Sequence, residues 1–171
     1  MNIYITSGTF EYLRQVKLQN SNEKLILLHN ADKTLLLQEA NDTTLFKHPR
    51  KYEIVDGMGD LEQEGFIVMN NIPVAEESRP VFEHMFKNRA GKVENQPGFQ
   101  AIRILRPIGS ETYIILTQWQ NESAFNAWQS SKSFKDAHSQ KSSKAYSNSS
   151  QKIFSGEAFV SKYFVPTFKE D

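Results

Sequence analysis

From Gly65 onward the hydrophobic pattern changes period in an order that few folds satisfy. Phe66–Val74 reads as a strand, with Phe66, Val68, Asn70, Ile72 and Val74 on one face. Glu76–Arg89 follows at helical spacing, with Val81, Phe82, Met85 and Phe86 on its apolar side. Pro80 falls near the first turn of that helix, where a missing N–H matters least. After a turn at Asn95–Gly98, Phe99–Arg106 and Thr112–Trp119 read as a hairpin around Pro107–Ser110. Asn121 is placed to cap a helix over Glu122–Ser130, and Ser133 with Asp136 resembles a weaker capping box for a second short helix. Ser139–Gln151 carries six serines and reads as a mobile loop, before a last long strand within Ile153–Phe168. The order is β-α-β-β-α-(α)-β. Helices on one face of a mostly antiparallel sheet make this an α+β, ferredoxin-like sandwich.

The first 64 residues form a second, looser unit. Asn2–Ser7 alternates as a strand, Phe10–Leu18 suits a short amphipathic helix, and Lys24–His29 and Thr34–Glu39 flank a hairpin turn. Leu45–Phe46 and Tyr52–Val55 are further short strand candidates, the second closing at Gly57 and Gly59. This gives two expected regions, an α/β extension over 1–64 and a larger domain over 65–171. No residue-level repeat relates them.

Charge excludes some functions. With 20 basic and 20 acidic residues the net charge is zero, and no basic stripe marks a nucleic-acid surface. No cysteine is present, which removes disulfides, thiolate metal sites and cysteine nucleophiles, and fits an intracellular protein. The start lacks a basic region before an apolar run, and no stretch approaches the ~20 apolar residues of a membrane span. The expectation is a soluble, cytoplasmic protein. Its 12 Phe, 6 Tyr and 2 Trp suit either an aromatic core or a flat apolar ligand.

Three residues invite a chemical reading. Asn70 is the polar member of an apolar strand face, and a buried amide left unbonded costs ~1–3 kcal/mol. Trp128 shares a helix face with Phe125, and His138 shares one with Phe134. Each alone has an ordinary structural account. The break at Ser130–Ser133 lets two short helices aim Trp128 and His138 at one cavity, whereas one straight helix would set them roughly 80° apart. The four histidines lack zinc-site spacing, and Gly57-Met58-Gly59 lacks the third glycine of a dinucleotide fingerprint and reads as a turn. There is no GxSxG and no P-loop. Glu76–Glu77 and Asp60–Glu64 read as a helix start and a solvated linker.

Taken together, these residues resemble a known pattern. Ala124-Phe125, Trp128, Ser131, Phe134-Lys135 and Ala137-His138 match the AFxxWxxSxxFKxAH stretch of IsdG-type haem-degrading monooxygenases, within the antibiotic-biosynthesis-monooxygenase (ABM) superfamily. Asn70 matches the family's strand asparagine, and Gln96-Pro97-Gly98-Phe99 resembles a turn typical of the superfamily. Over its full length the chain is similar to extended bacillar members and, more distantly, to TRAP-like staphylococcal proteins.

The resemblance implies that haem is both substrate and oxygen-activating centre. The ring would be opened with O2 to a staphylobilin-like product, and iron released. His138 would be the axial iron ligand, Asn70 a hydrogen-bonding group near the distal face, and Trp128 the side chain pressing the ring out of plane. Arg89 matches a family arginine near the haem carboxylates, and a surface arginine at a helix end explains it equally. Electrons would come from an external reductase, since no nucleotide- or flavin-binding motif is visible. Small family members dimerise to close a barrel. Here the first 64 residues are expected to supply the second sheet, giving a monomeric pseudo-dimer with one haem. A TRAP-like signalling or stress protein with weak or no haem binding, and a cofactor-independent monooxygenase of quinol-like aromatics, are the alternatives.

Overall fold

The computed structural model describes residues 1–87, 93–131 and 153–167. β1 (Asn2–Gly8) ends at Thr9, whose hydroxyl accepts the Tyr12 N–H at 3.2 Å and caps α1 (Phe10–Gln19). β2 (Leu25–His29) and β3 (Thr34–Ala40) form a hairpin. Its turn is set by Asn30, whose Oδ1 accepts the backbone N–H groups of Asp32 and Lys33. β4 (Arg50–Met58) completes the first half. The second half comprises β5 (Gly65–Pro73), a 3-10 turn at Glu76–Ser78, α2 (Arg79–Lys87), β6 (Phe99–Ile108), β7 (Thr112–Trp119), α3 (Glu122–Gln129) and β8 (Phe159–Val165).

The eight strands close one antiparallel barrel in the order β1-β3-β2-β8-β5-β7-β6-β4. Read by halves, this is β4-β1-β3-β2 followed by β8-β5-β7-β6. Each half places its fourth, first, third and second strands in that order, the ferredoxin-like arrangement, and the two meet edge to edge. The expected second sheet from the N-terminal residues is therefore present. The two seams differ. β4 pairs with β6 from Lys51 to Met58, whereas β2 meets β8 only at His29 and Phe164. The Asn30 side-chain amide, donating to the Lys162 carbonyl at 3.0 Å, adds one bond beside that thin seam.

Period-two alternation decides what fills the barrel. Ile3, Ile5, Ile26, Leu28, Leu35 and Leu37 of the first half pack inside against Ile67, Met69, Ile114, Leu116 and Tyr163 of the second. At full burial each such side chain contributes about 1.5–3 kcal/mol, so neither half would keep this stabilisation alone. The outer faces carry three separate clusters. α1 covers Leu25, Leu27 and Leu36; α2 covers Ile72, Val74 and Tyr113; α3 covers Phe66, Val68 and Trp119.

Three local expectations are corrected. Leu45–Phe46 is not a strand: Gln38 Oε1 accepts the Thr44 hydroxyl and the Leu45 N–H, and Phe46 packs beside α1's cluster. This loop stands where the second half has α3. The last strand does lie within Ile153–Phe168, and Ile153 and Phe154 ahead of it pack into the α2 cluster with Phe82 and Val74. Val81 is 54% exposed, and the buried side of α2 runs instead through Phe82 and Phe86. Gly57 and Met58 lie within β4, and the bend comes at Gly59 (φ +78°), where a Cβ would stand 2.2 Å from the Gln100 carbonyl oxygen. The second capping box and the serine-rich loop lie outside the described residues.

Candidate functional site

β5 sets two adjacent asparagines on opposite sides of the barrel wall. Asn71 points inward and is 4% exposed. Its Nδ2 lies within hydrogen-bonding distance of the carbonyls of Met69 and Phe159 and of the Ser161 hydroxyl. Asn70 points outward and is half-buried, and among the described residues no group hydrogen-bonds to its side chain. Its outer-face neighbours are Val68 and Ile72 along the strand, Ile115 across β7 and Val160 across β8. An amide with unused hydrogen-bonding capacity thus stands in an apolar floor, where its natural partner is a ligand or water.

α3 brings Trp128 to the same outer face. Asn121 Oδ1 accepts the Ala124 N–H at 2.9 Å and starts the helix as expected. The turn before β6 fits against it: Gly98 (φ +83°) approaches so closely that a Cβ would stand 2.5 Å from that of Ala124. Trp128 stacks on Trp119, ring centroids 5.4 Å apart and planes at 29°, and lies 6.1 Å from Phe125. Trp119 is fully buried, and its indole N–H donates to the Thr117 hydroxyl at 3.0 Å. The last turn closes where the Ser131 N–H and hydroxyl both donate to the Trp128 carbonyl.

The outer face joins these two residues. Val68 belongs to the cluster containing Trp128, and Asn70 is the next outward residue of β5. Arg89 and His138, the other two candidates, lie outside the described residues. No group of three or more histidine, aspartate or glutamate side chains gathers as a metal site among the described residues.

Beyond Asn70, α2 is tied down by charge. Arg106 donates to both carboxylate oxygens of Glu83, at 2.8 and 2.5 Å, and the Tyr113 hydroxyl donates to the same carboxylate. The Arg106 hydrogen bonds hold the Glu83 carboxyl below its usual range despite some burial. Burial and that carboxylate push the Tyr113 phenol up. A cleft of about 290 Å³ opens beside this network, lined by Glu53, Ile54, Asp56, Phe86 and Ile104 as well as the Glu83–Arg106 pair. A second, of about 480 Å³, lies at the start of α3 near Phe66, Gln100 and Phe164. Neither is lined by Asn70 or Trp128. In the first, Arg106 is already paired with Glu53 and Glu83, so the unbonded amide in an apolar floor is the better guide to a ligand.

Residues that the sequence did not single out also face this floor. Val160 is 56% exposed opposite Asn70, and Lys162 stands opposite Val68. Only the β5–β8 pairing places them there.

A barrel of two ferredoxin-like halves, with a candidate site only on the second, defines the class. Residues 65–140 match the family model for antibiotic biosynthesis monooxygenase. The signal transduction protein TRAP of Staphylococcus epidermidis is 28% identical over 145 residues, covering 82% of this chain and 87% of its own. A heme-degrading monooxygenase of Listeria monocytogenes is 27% identical over 169 residues, covering 99% and 97%. Among solved structures, that of a major regulator of staphylococcal pathogenesis is similar at a TM-score of 0.83 and 25% identity, covering 98% of this chain and 100% of its own. No helix among the described residues is long and apolar enough to cross a membrane.

Proposed function

We propose that the chain is a cytoplasmic haem-degrading monooxygenase that takes haem as substrate, opens its ring with O2 and external electrons, and releases iron. The observation that carries this is Asn70: an unbonded amide on an apolar outer face that Trp128 shares. Those residues fit a flat, largely apolar ring with a polar centre. Bound there, haem would supply both the carbon skeleton that is oxidised and the iron that activates oxygen. The chain's own groups would bind and orient it. The Asn70 amide would hydrogen-bond at the polar centre, and the Trp128 indole, backed by Trp119, would press on the ring. His138 would offer a neutral imidazole nitrogen to the iron, and Arg89 a guanidinium to the carboxylates. The Listeria relative's name supports this reading. Residues 1–64 would have an architectural role, closing the barrel within one monomeric chain, and neither tryptophan lies among them.

The test is hemin titration followed by a reductant and air, with His138→Ala beside wild type. A Soret band that then decays, and is weakened in the variant, is the expected result. A variant that binds and degrades haem as wild type does would remove His138 as ligand. A signal-transduction role is the second reading, favoured by the name of the staphylococcal relative. Haem left unchanged under reductant and air would favour it.

A further inference from the structure

The outward row of β8 is Val160, Lys162 and Phe164, opposite Asn70, Val68 and Phe66 respectively. Two of the three are exposed apolar side chains, as a ligand floor requires. The middle one is a cation. Its stem crosses the face towards α3 and sets Nζ 5.4 Å from the centre of the Phe125 ring, one turn before Trp128. Among the described residues no carboxylate pairs with it. Glu122, the acid on the same side of α3, is exposed and makes no ion pair with Lys162. Lys162 is exposed, and the face of Phe125 steers its ammonium without carrying net charge, so its donors stay turned to solvent at the edge of an apolar surface.

We infer that Lys162 anchors a carboxylate on the rim of the ligand bound between Asn70 and Trp128. This rests on the haem reading above and adds a described residue that fixes which edge of the ring faces α3. A ring lying over Asn70 and Val160, beside the α3 cluster that buries Val68, has its rim beside Lys162. Haem is apolar across its plane and carries two carboxylates on one edge, so a cation at the rim selects its orientation. A lysine suits this as a mobile point charge with three donors.

The experiment compares two probes, hemin and its dimethyl ester, by Soret titration of the full chain and of Lys162→Met and Lys162→Arg. Lys162→Met should weaken hemin binding by about tenfold, the loss expected for one charge-assisted hydrogen bond. Binding of the ester should change less than about twofold, and Lys162→Arg should restore hemin affinity. If Lys162→Met binds hemin as wild type does, or loses both probes equally, the anchor is overturned; equal loss would mark a packing role over Phe125. A wild-type chain that binds neither probe overturns the haem reading, and the anchor with it.

Discussion

Arg103 donates from Nε to Glu39 Oε2 at 2.9 Å, and this ion pair joins β6 of one half to β3 of the other. Both side chains are about nine-tenths buried, and Arg103 also donates to the carbonyls of Met58 and Ile102. Lys24 adds a second cation 3.2 Å from Glu39. Removing Arg103 leaves Glu39 with Lys24 alone, so Arg103→Met should cost on the order of 2 kcal/mol in denaturant unfolding, less than for a fully stranded buried charge. The Arg103→Met, Glu39→Leu pair should lose less than the two single variants summed.

The same carboxylate predicts a pH dependence. Burial pushes the Glu39 carboxyl up, but Arg103 and Lys24 together bring it below its reference value of 4.5. A carboxyl lowered on folding stabilises the folded state above its unfolded value. Wild-type stability should therefore fall as pH drops below about 4.5 and through the lowered folded value. Glu39→Gln should show a shallower acid loss in urea titrations from pH 6 to 3. Equal slopes would show that the pair contributes nothing to acid sensitivity.

Asn70 and Asn71 should separate function from stability. Asn71→Ala strands acceptors inside the wall and should cost about 1–3 kcal/mol. Asn70→Ala removes an amide that bonds no described group and should change stability by less than about 0.5 kcal/mol. Under the proposed function, only Asn70→Ala should slow haem loss in a folded protein. Thermal unfolding and aerobic turnover with a reductant, measured on the same samples, check both.

How much of this was legible depended on range. The start of α1 at Phe10, the cap at Asn121 and the alternation of β5 are local, and the sequence shows them. Closure by the N-terminal half followed from the resemblance, since small members of that family dimerise to close a barrel and this chain carries residues 1–64 in addition. Register between distant strands was not. Nothing near Lys162 says that it stands beside Val68, and nothing near Glu39 says that its partner is Arg103. Leu45–Phe46 failed as a strand because Gln38 and Thr44 hold its backbone, a side-chain effect that periodicity does not register.

Gly98 should prove sensitive although it touches no proposed ligand. A Cβ there meets Ala124 at 2.5 Å, and the backbone is in the left-handed region. Gly98→Ala must therefore strain the turn or push the first turn of α3 outward. Either should cost at least about 1 kcal/mol. Displacement of α3 would also reach Trp128 and reduce near-UV ellipticity. A full loss of stability with an unchanged tryptophan signal would show that the strain stays within the turn.

The stack of Trp128 on Trp119 makes the last prediction directional. Trp119 is fixed by burial and by its bond to Thr117, so Trp128 is held against a surface that cannot yield. Trp128→Phe keeps an aromatic face but gives up part of the stack, whereas Trp119→Leu keeps Trp128 and removes its backing. If Trp128 presses on the ligand, both should slow haem ring opening, with hemin affinity falling less than the rate. Trp119→Leu should also destabilise the fold, by roughly 2–4 kcal/mol for a large aromatic lost from a packed cluster. Trp128 is only half-buried, so Trp128→Phe should cost less than about 1.5 kcal/mol. The decisive comparison is the absorption of the bound hemin. A change towards a flatter ring in both variants supports pressure transmitted through the stack, and a change in Trp128→Phe alone would show that Trp119 is ordinary core.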